Sequence, residues 1–126
     1  MEKSHSVTQN EWHVMELLWE KPRTLMELVN TLSEQKCWSK STVTTMVRRM
    51  DSKGLITFHT EGRTKIFRSV VSREDVTARE TNSLLRRAYN GSVSLLVSTM
   101  ARRNNLSKDD IDQLYAILKE AEADLK

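Results

Sequence analysis

Cysteine is almost missing from this chain. The single one, Cys37, excludes an intrachain disulfide framework and a thiolate metal cluster within one subunit, and it suits a reducing compartment. No apolar run approaches the roughly 18 residues that a bilayer-spanning helix needs, and Met1 to Val7 are too polar for a secretory signal, so a cytoplasmic protein is expected. With three glycines in all, there is no glycine-rich phosphate loop and no G-x-S-x-G turn. Carboxylates do not cluster beyond ordinary helix starts, and His5, His13 and His59 fall in no metal-ligand spacing. No enzyme, no metal site and no cofactor is expected.

What is present describes a small folded chain. Hydrophobic residues make up 38% and charged ones 29%, too apolar for disorder and lean for a large core. A length of 126 residues allows one compact domain with an appendage. The net charge of +3 is mild, but its distribution is uneven. Between Lys40 and Arg68 stand Lys40, Arg48, Arg49, Lys53, Arg63, Lys65 and Arg68 against only Asp51 and Glu61. That +5 exceeds the net charge of the whole chain. Such a run is either a solvated face or the footprint of an anionic partner.

The periodicity predicts three helices and a hairpin. Thr8 with Glu11 forms a capping box, and Trp12, Met15, Leu18 and Trp19 follow at helical steps until Pro22. This assigns Trp12 and Trp19 to the core. Thr24 with Glu27 repeats the box ahead of Leu25, Leu28, Val29 and Leu32. Ser39 or Ser41 can cap a third helix carrying Val43, Met46, Val47 and Met50, ending at Gly54. Leu55 to His59 and Thr64 to Val70 are rich in β-formers, with Thr60, Glu61 and Gly62 as the turn. Three helices and then a basic hairpin is the order of a winged helix-turn-helix domain.

If the valines and methionines of the third helix face inward, a 100° step per residue turns Ser41, Thr44, Thr45 and Arg48 outward, with Lys40 and Thr42 at the exposed start. Hydroxyls can bond base edges or phosphates, threonine methyls can meet thymine methyls, and arginine grips guanine or phosphate. In the hairpin, Arg63 and Lys65 suit the flanking backbone or a narrow minor groove. Trp38 and Ser39 precede the helix. The Trp38 indole either donates to a phosphate or covers the core edge. Cys37, near a helix start and Lys36, is a candidate redox-sensitive thiol.

Beyond Ser72 the sequence predicts three more helices. Glu74 and Asp75 sit in the first turn of one that carries Val76, Leu84, Leu85, Ala88 and Tyr89 and ends near Gly91. Val93 to Met100 forms a second. Ser107 with Asp109 and Asp110 opens a third, whose Ile111, Leu114, Leu118, Ala121 and Leu125 approach heptad spacing. These helices cannot bury so much apolar surface alone. A second copy is the economical cover, through Leu95, Leu96, Met100, Ile111, Leu114 and Leu118. The expected architecture is mostly α with a small β-hairpin wing: a winged-helix domain over 1–71 and a C-terminal helical dimerisation domain over 72–126.

The segments "VTQNEWHVMELLWE", "CWSKSTVTTMVRRMDSKGLI" and "GRTKIFRSV", followed by "YNGSVSLLV" and "LSKDDIDQLYAIL", resemble the penicillinase repressor family, which includes the methicillin-resistance and copper-efflux repressors. The resemblance implies a homodimer that binds double-stranded operator DNA, an inverted repeat of TACA/TGTA type, and blocks transcription until a protease or ligand lowers its affinity. Ser41, Thr42, Thr44 and Thr45 match the family's groove-facing positions, and Arg63 and Lys65 its wing. Family members often carry proline after the serine and a basic residue where Thr44 stands. Ser98, Thr99, Met100 and Ala101 occupy the stretch where beta-lactam-responsive members carry a cleavable Asn-Phe bond, and "LKEAEADLK" lacks the cysteines of the copper-responsive tail. A reading from another class is a winged helix used as a protein-interaction adaptor.

Overall fold

In a computed structural model that describes residues 6–103 and 105–125, the elements run α1 (Gln9–Glu20), β1 (Arg23–Thr24), α2 (Leu25–Lys36), α3 (Lys40–Lys53), β2 (Ile56–Glu61), β3 (Thr64–Ser69), α4 (Arg73–Tyr89), α5 (Val93–Arg103) and α6 (Lys108–Asp124). The helix starts follow from their caps. Thr8 Oγ1 accepts from the Glu11 amide at 3.2 Å while Glu11 Oε1 accepts from the Thr8 amide at 3.0 Å. Thr24 and Glu27 repeat this at the head of α2, and Ser107 and Asp110 at the head of α6. Ser39 caps α3, and Gly54 ends it in the left-handed conformation at φ 83°.

The chain divides into two compact units at Thr81/Asn82. This division lies inside α4 rather than at Ser72, because Val76 on the first turns of that helix is 1% exposed within the core of the first unit. That core joins Val14, Met15 and Leu18 of α1, Leu28, Val29 and Leu32 of α2, Val43, Met46, Val47 and Met50 of α3, and Leu55, Ile56 and Phe67 of the β region. Fully burying one such side chain contributes about 1.5–3 kcal/mol, so α3 is fixed about its own axis by its four inward residues.

The sheet has three strands in the order β1-β3-β2, all antiparallel, where a two-stranded hairpin was expected. The extra strand is Arg23–Thr24, pairing with Phe67 and Ile66. Two residues are too few to show alternation, and Thr24 also serves as the cap of α2. The hairpin turn is shorter than the sequence suggested. Thr60 and Glu61 belong to β2, paired with Lys65 and Thr64, which leaves only Gly62 and Arg63 in the turn. Gly62 at φ 65° supplies the positive angle that a two-residue hairpin needs at its first position.

Trp12 and Trp19 are a second departure. Both are half-buried and lean on the core from outside, edge to face with ring centroids 5.4 Å apart. The Trp19 indole N–H donates to the Val71 carbonyl at 2.9 Å, which satisfies its polar end while the ring rests against the core. The interior place is taken instead by Glu11, 1% exposed, whose Oε1 meets Lys53 Nζ at 2.8 Å.

The second unit is different in kind. None of its described residues is buried, although Leu95 is 50%, Met100 41%, Ile111 39% and Leu118 62% exposed, with Leu96 and Leu114 half-buried. Among the described residues no helix is long and apolar enough to cross a membrane.

Candidate nucleic-acid interface

The outer face of α3 is built from its inner one. With Val43, Met46, Val47 and Met50 buried, Lys40, Ser41, Thr42, Thr45, Arg48 and Arg49 are left exposed and Thr44 half-exposed. Local hydrogen bonds then divide the hydroxyls by what they can still do. Ser39 Oγ accepts from the Thr42 amide at 3.1 Å and donates to Thr42 Oγ1 at 3.0 Å, so Ser39 is committed to the cap while Thr42 keeps its own proton. Thr44 donates to the Lys40 carbonyl at 2.8 Å, which leaves it an acceptor and an outward methyl. The Thr45 hydroxyl makes no hydrogen bond among the described residues. It alone of the three threonines keeps full donor and acceptor capacity.

Beside α3 stands the hairpin. Arg63 occupies the turn, and Lys65, one strand position in, holds its ammonium 4.6 Å from the centre of the Phe58 ring. Phe58 rests in turn on Phe67, centroids 5.5 Å apart. Between the hairpin, the outer face of α3 and the start of α2 runs a groove of about 700 Å³, lined among others by Leu25, Met26, Thr44, Arg48, Asp51, Phe58, Arg63 and Lys65. A shallower depression of about 270 Å³ lies along Ser41, Thr42, Thr45, Met46 and Arg49. The structure thus brings Thr44, Arg48, Arg63 and Lys65 to one groove and Ser41, Thr42 and Thr45 to the adjacent helix face.

Trp38 is placed otherwise. It is half-buried, packs against the core and meets His13 edge to face at 5.8 Å, so it covers the core edge. Cys37 is exposed and ends α2 in the left-handed conformation at φ 60°. Of the remaining histidines, His59 Nε2 lies 3.2 Å from Glu61 Oε2 on the wing, and His5 lies outside the described residues. No three His, Cys, Asp or Glu side chains among the described residues are grouped to hold a metal ion.

Two supports of this face escaped sequence reading. Lys53, at the last turn of α3, donates to buried Glu11 and to the Ser6 carbonyl at 3.3 Å, which ties the foot of the helix to α1. Arg73 at the start of α4 grips both Glu16 oxygens and stacks its guanidinium 4.7 Å from the Trp19 ring. The hydrogen bond from Arg73 holds the Glu16 carboxyl below its usual range, assisted by the charges of Arg73 and His13 and opposed by slight burial. The signals were a capping-box glutamate on an apolar helix face and, for Arg73, none, since its partner is 57 residues away.

Comparison with known proteins agrees with this geometry. Over 121 residues the chain is 31% identical to the penicillinase repressor of Bacillus licheniformis, covering 95% of this chain and 94% of that one. It is 26% identical over 117 residues to the methicillin resistance regulatory protein MecI of Staphylococcus aureus strain N315, covering 92% and 95%. Among solved structures, the DNA-binding domain of the repressor BlaI superposes with a TM-score of 0.54 at 29% identity, over 60% of this chain and 93% of that domain. A chain from the hsRosR-SG complex shares the fold at 14% identity, with a TM-score of 0.52 over 97% of both chains. Residues 7–120 match the family described as penicillinase repressor, and the chain belongs to that family.

Proposed function

We infer that the protein is a transcriptional repressor that binds operator DNA as a homodimer. The observation that carries this reading is the outer face of α3, where Ser41, Thr42, Thr45 and Arg48 are exposed beside a wing bearing Arg63 and Lys65. An α-helix fits the major groove, hydroxyls and arginine bond base edges there, and the wing cations engage flanking phosphates. The relatives' names, penicillinase repressor and methicillin resistance regulatory protein, support repression as the outcome.

Dimerisation is supported by the apolar surface of α5 and α6, where Leu95, Met100, Ile111 and Leu118 have no cover within their own unit. Two copies would hold two α3 helices about 34 Å apart to read successive major grooves of an inverted repeat. The TACA/TGTA-type operator follows from the family resemblance. The family resemblance implies a basic residue in many members where the half-exposed Thr44 stands, so this chain is expected to carry one charge fewer there.

A gel-shift titration on DNA from the chain's own promoter region, repeated across salt concentrations, tests the reading. If each protomer neutralises about four phosphates, log affinity falls with log salt at a slope near −7, and binding to that DNA exceeds binding to random duplex. Weak binding that ignores sequence would instead fit a protein-interaction adaptor.

A further inference from the structure

We propose that the groove between α3 and the wing is a binding site for a small aromatic carboxylate that excludes DNA. Its volume of about 700 Å³ falls in the range of small-molecule sites. Much of its lining is apolar, from Leu25, Met26, Val47, Phe58 and Phe67. Met26 is 49% and Phe58 37% exposed, a pairing that a duplex-binding face does not need, since protein–DNA interfaces are more polar and more cationic than others. The rim carries Arg48, Arg63 and Lys65 against the single carboxylate of Asp51. An anion is therefore favoured, and one with a flat apolar body fills the space that a phosphate leaves empty. The Met26 thioether suits an aromatic ring. Arg48 and Arg63 are the side chains that the functional reading assigns to DNA, so a carboxylate held by them competes with the operator. That competition rests on the functional reading; the binding itself does not.

The test uses the full chain with 13C-labelled methionine methyls and 1-naphthoate as the probe. Met26 reports the groove and Met100 reports the exposed helices of the second unit. Expected is a saturable shift of Met26 with half-saturation around 1 mM or below, the affinity ordinary for an acid of this size. Neutral 1-naphthamide and the Arg63→Gln/Lys65→Gln variant should each weaken binding roughly ten-fold, as loss of charge-assisted contacts requires. Naphthoate should also displace promoter DNA over the same concentration range. The proposal is overturned if Met26 does not shift, if naphthamide binds equally well, if Met100 alone responds, or if DNA stays bound to the naphthoate-saturated protein. A duplex laid over Met26 and Phe58 would show as loss of DNA affinity in Met26→Gln without any naphthoate shift, and that result also overturns it. Binding of promoter DNA without naphthoate is measured separately. Its failure would remove the repressor reading while leaving a Met26 shift intact.

Discussion

Replacing Lys53 by methionine should cost more than neutralising its partner, although both changes break one ion pair. Glu11 is 1% exposed, and its Oε1 serves both Lys53 Nζ at 2.8 Å and the Thr8 amide at 3.0 Å, while Oε2 has no hydrogen-bond partner among the described residues. Lys53→Met leaves a carboxylate enclosed by apolar neighbours with one backbone donor. Removing one member of a buried pair costs about 3–5 kcal/mol. The Lys53 side chain is 20% exposed, so some water reaches the pair, and about 3 kcal/mol is the expected loss. Glu11→Gln keeps a carbonyl oxygen that the Thr8 amide and the Lys53 ammonium can both still use, removes the buried charge, and puts an amide NH2 where Oε2 has no partner among the described residues. That costs about 1 kcal/mol, the worth of an ordinary hydrogen bond. Urea unfolding followed by tryptophan fluorescence reads the difference, because Trp12, Trp19 and Trp38 all lie in the first unit. Protein concentration must be held fixed, since association shifts apparent stability. If Glu11→Gln proves as damaging as Lys53→Met, the reasoning from the enclosed carboxylate is wrong.

The remaining predictions concern the latch, the wing and the second unit. Glu16 is held ionised more strongly folded than unfolded, so its contribution is present above the usual glutamate value of 4.5 and is lost as pH falls through the lower folded value. At 47% exposure this amounts to no more than about 0.5 kcal/mol after solvent screening, and Glu16→Gln should flatten that part of a stability–pH curve. Gly62→Ala should cost about 1–2 kcal/mol, because its φ is 65° while the space around an added methyl is open; an unchanged thermal midpoint would place the strain elsewhere. Leu118→Glu should halve the mass seen by sedimentation equilibrium, since a 62% exposed leucine costs the monomer little to lose but a dimer seam cannot enclose its charge. A mass equal to wild type would move the seam away from α6.

Much of the first unit was legible because its signals are local. Thr8 with Glu11 and Thr24 with Glu27 each lie within one turn, and both capping boxes form in the structure. The inward face of α3 was equally readable, since Val43, Met46, Val47 and Met50 repeat at the helical period and all four are buried. The features missed depend on partners distant in sequence. Strand β1 exists only through its pairing with Phe67 and Ile66, and the enclosure of Glu11 depends on Lys53. Trp12 and Trp19 were placed too deep because apolar size favours burial while the indole N–H resists it. Of the candidate site, the residue types on α3 and the wing were evident, but the hydroxyl roles were not. Which threonine stays free depends on bonds to Lys40 and Ser39 that composition does not reveal.

Thr45→Ala tests the central claim most directly, with affinity measured on promoter DNA and on random duplex of equal length at one salt concentration. Base readout by this exposed threonine predicts a loss of about 1–3 kcal/mol on the promoter and almost none on the random sequence. Equal losses on both, or no loss on either, would contradict the assignment of α3 as the element that reads sequence.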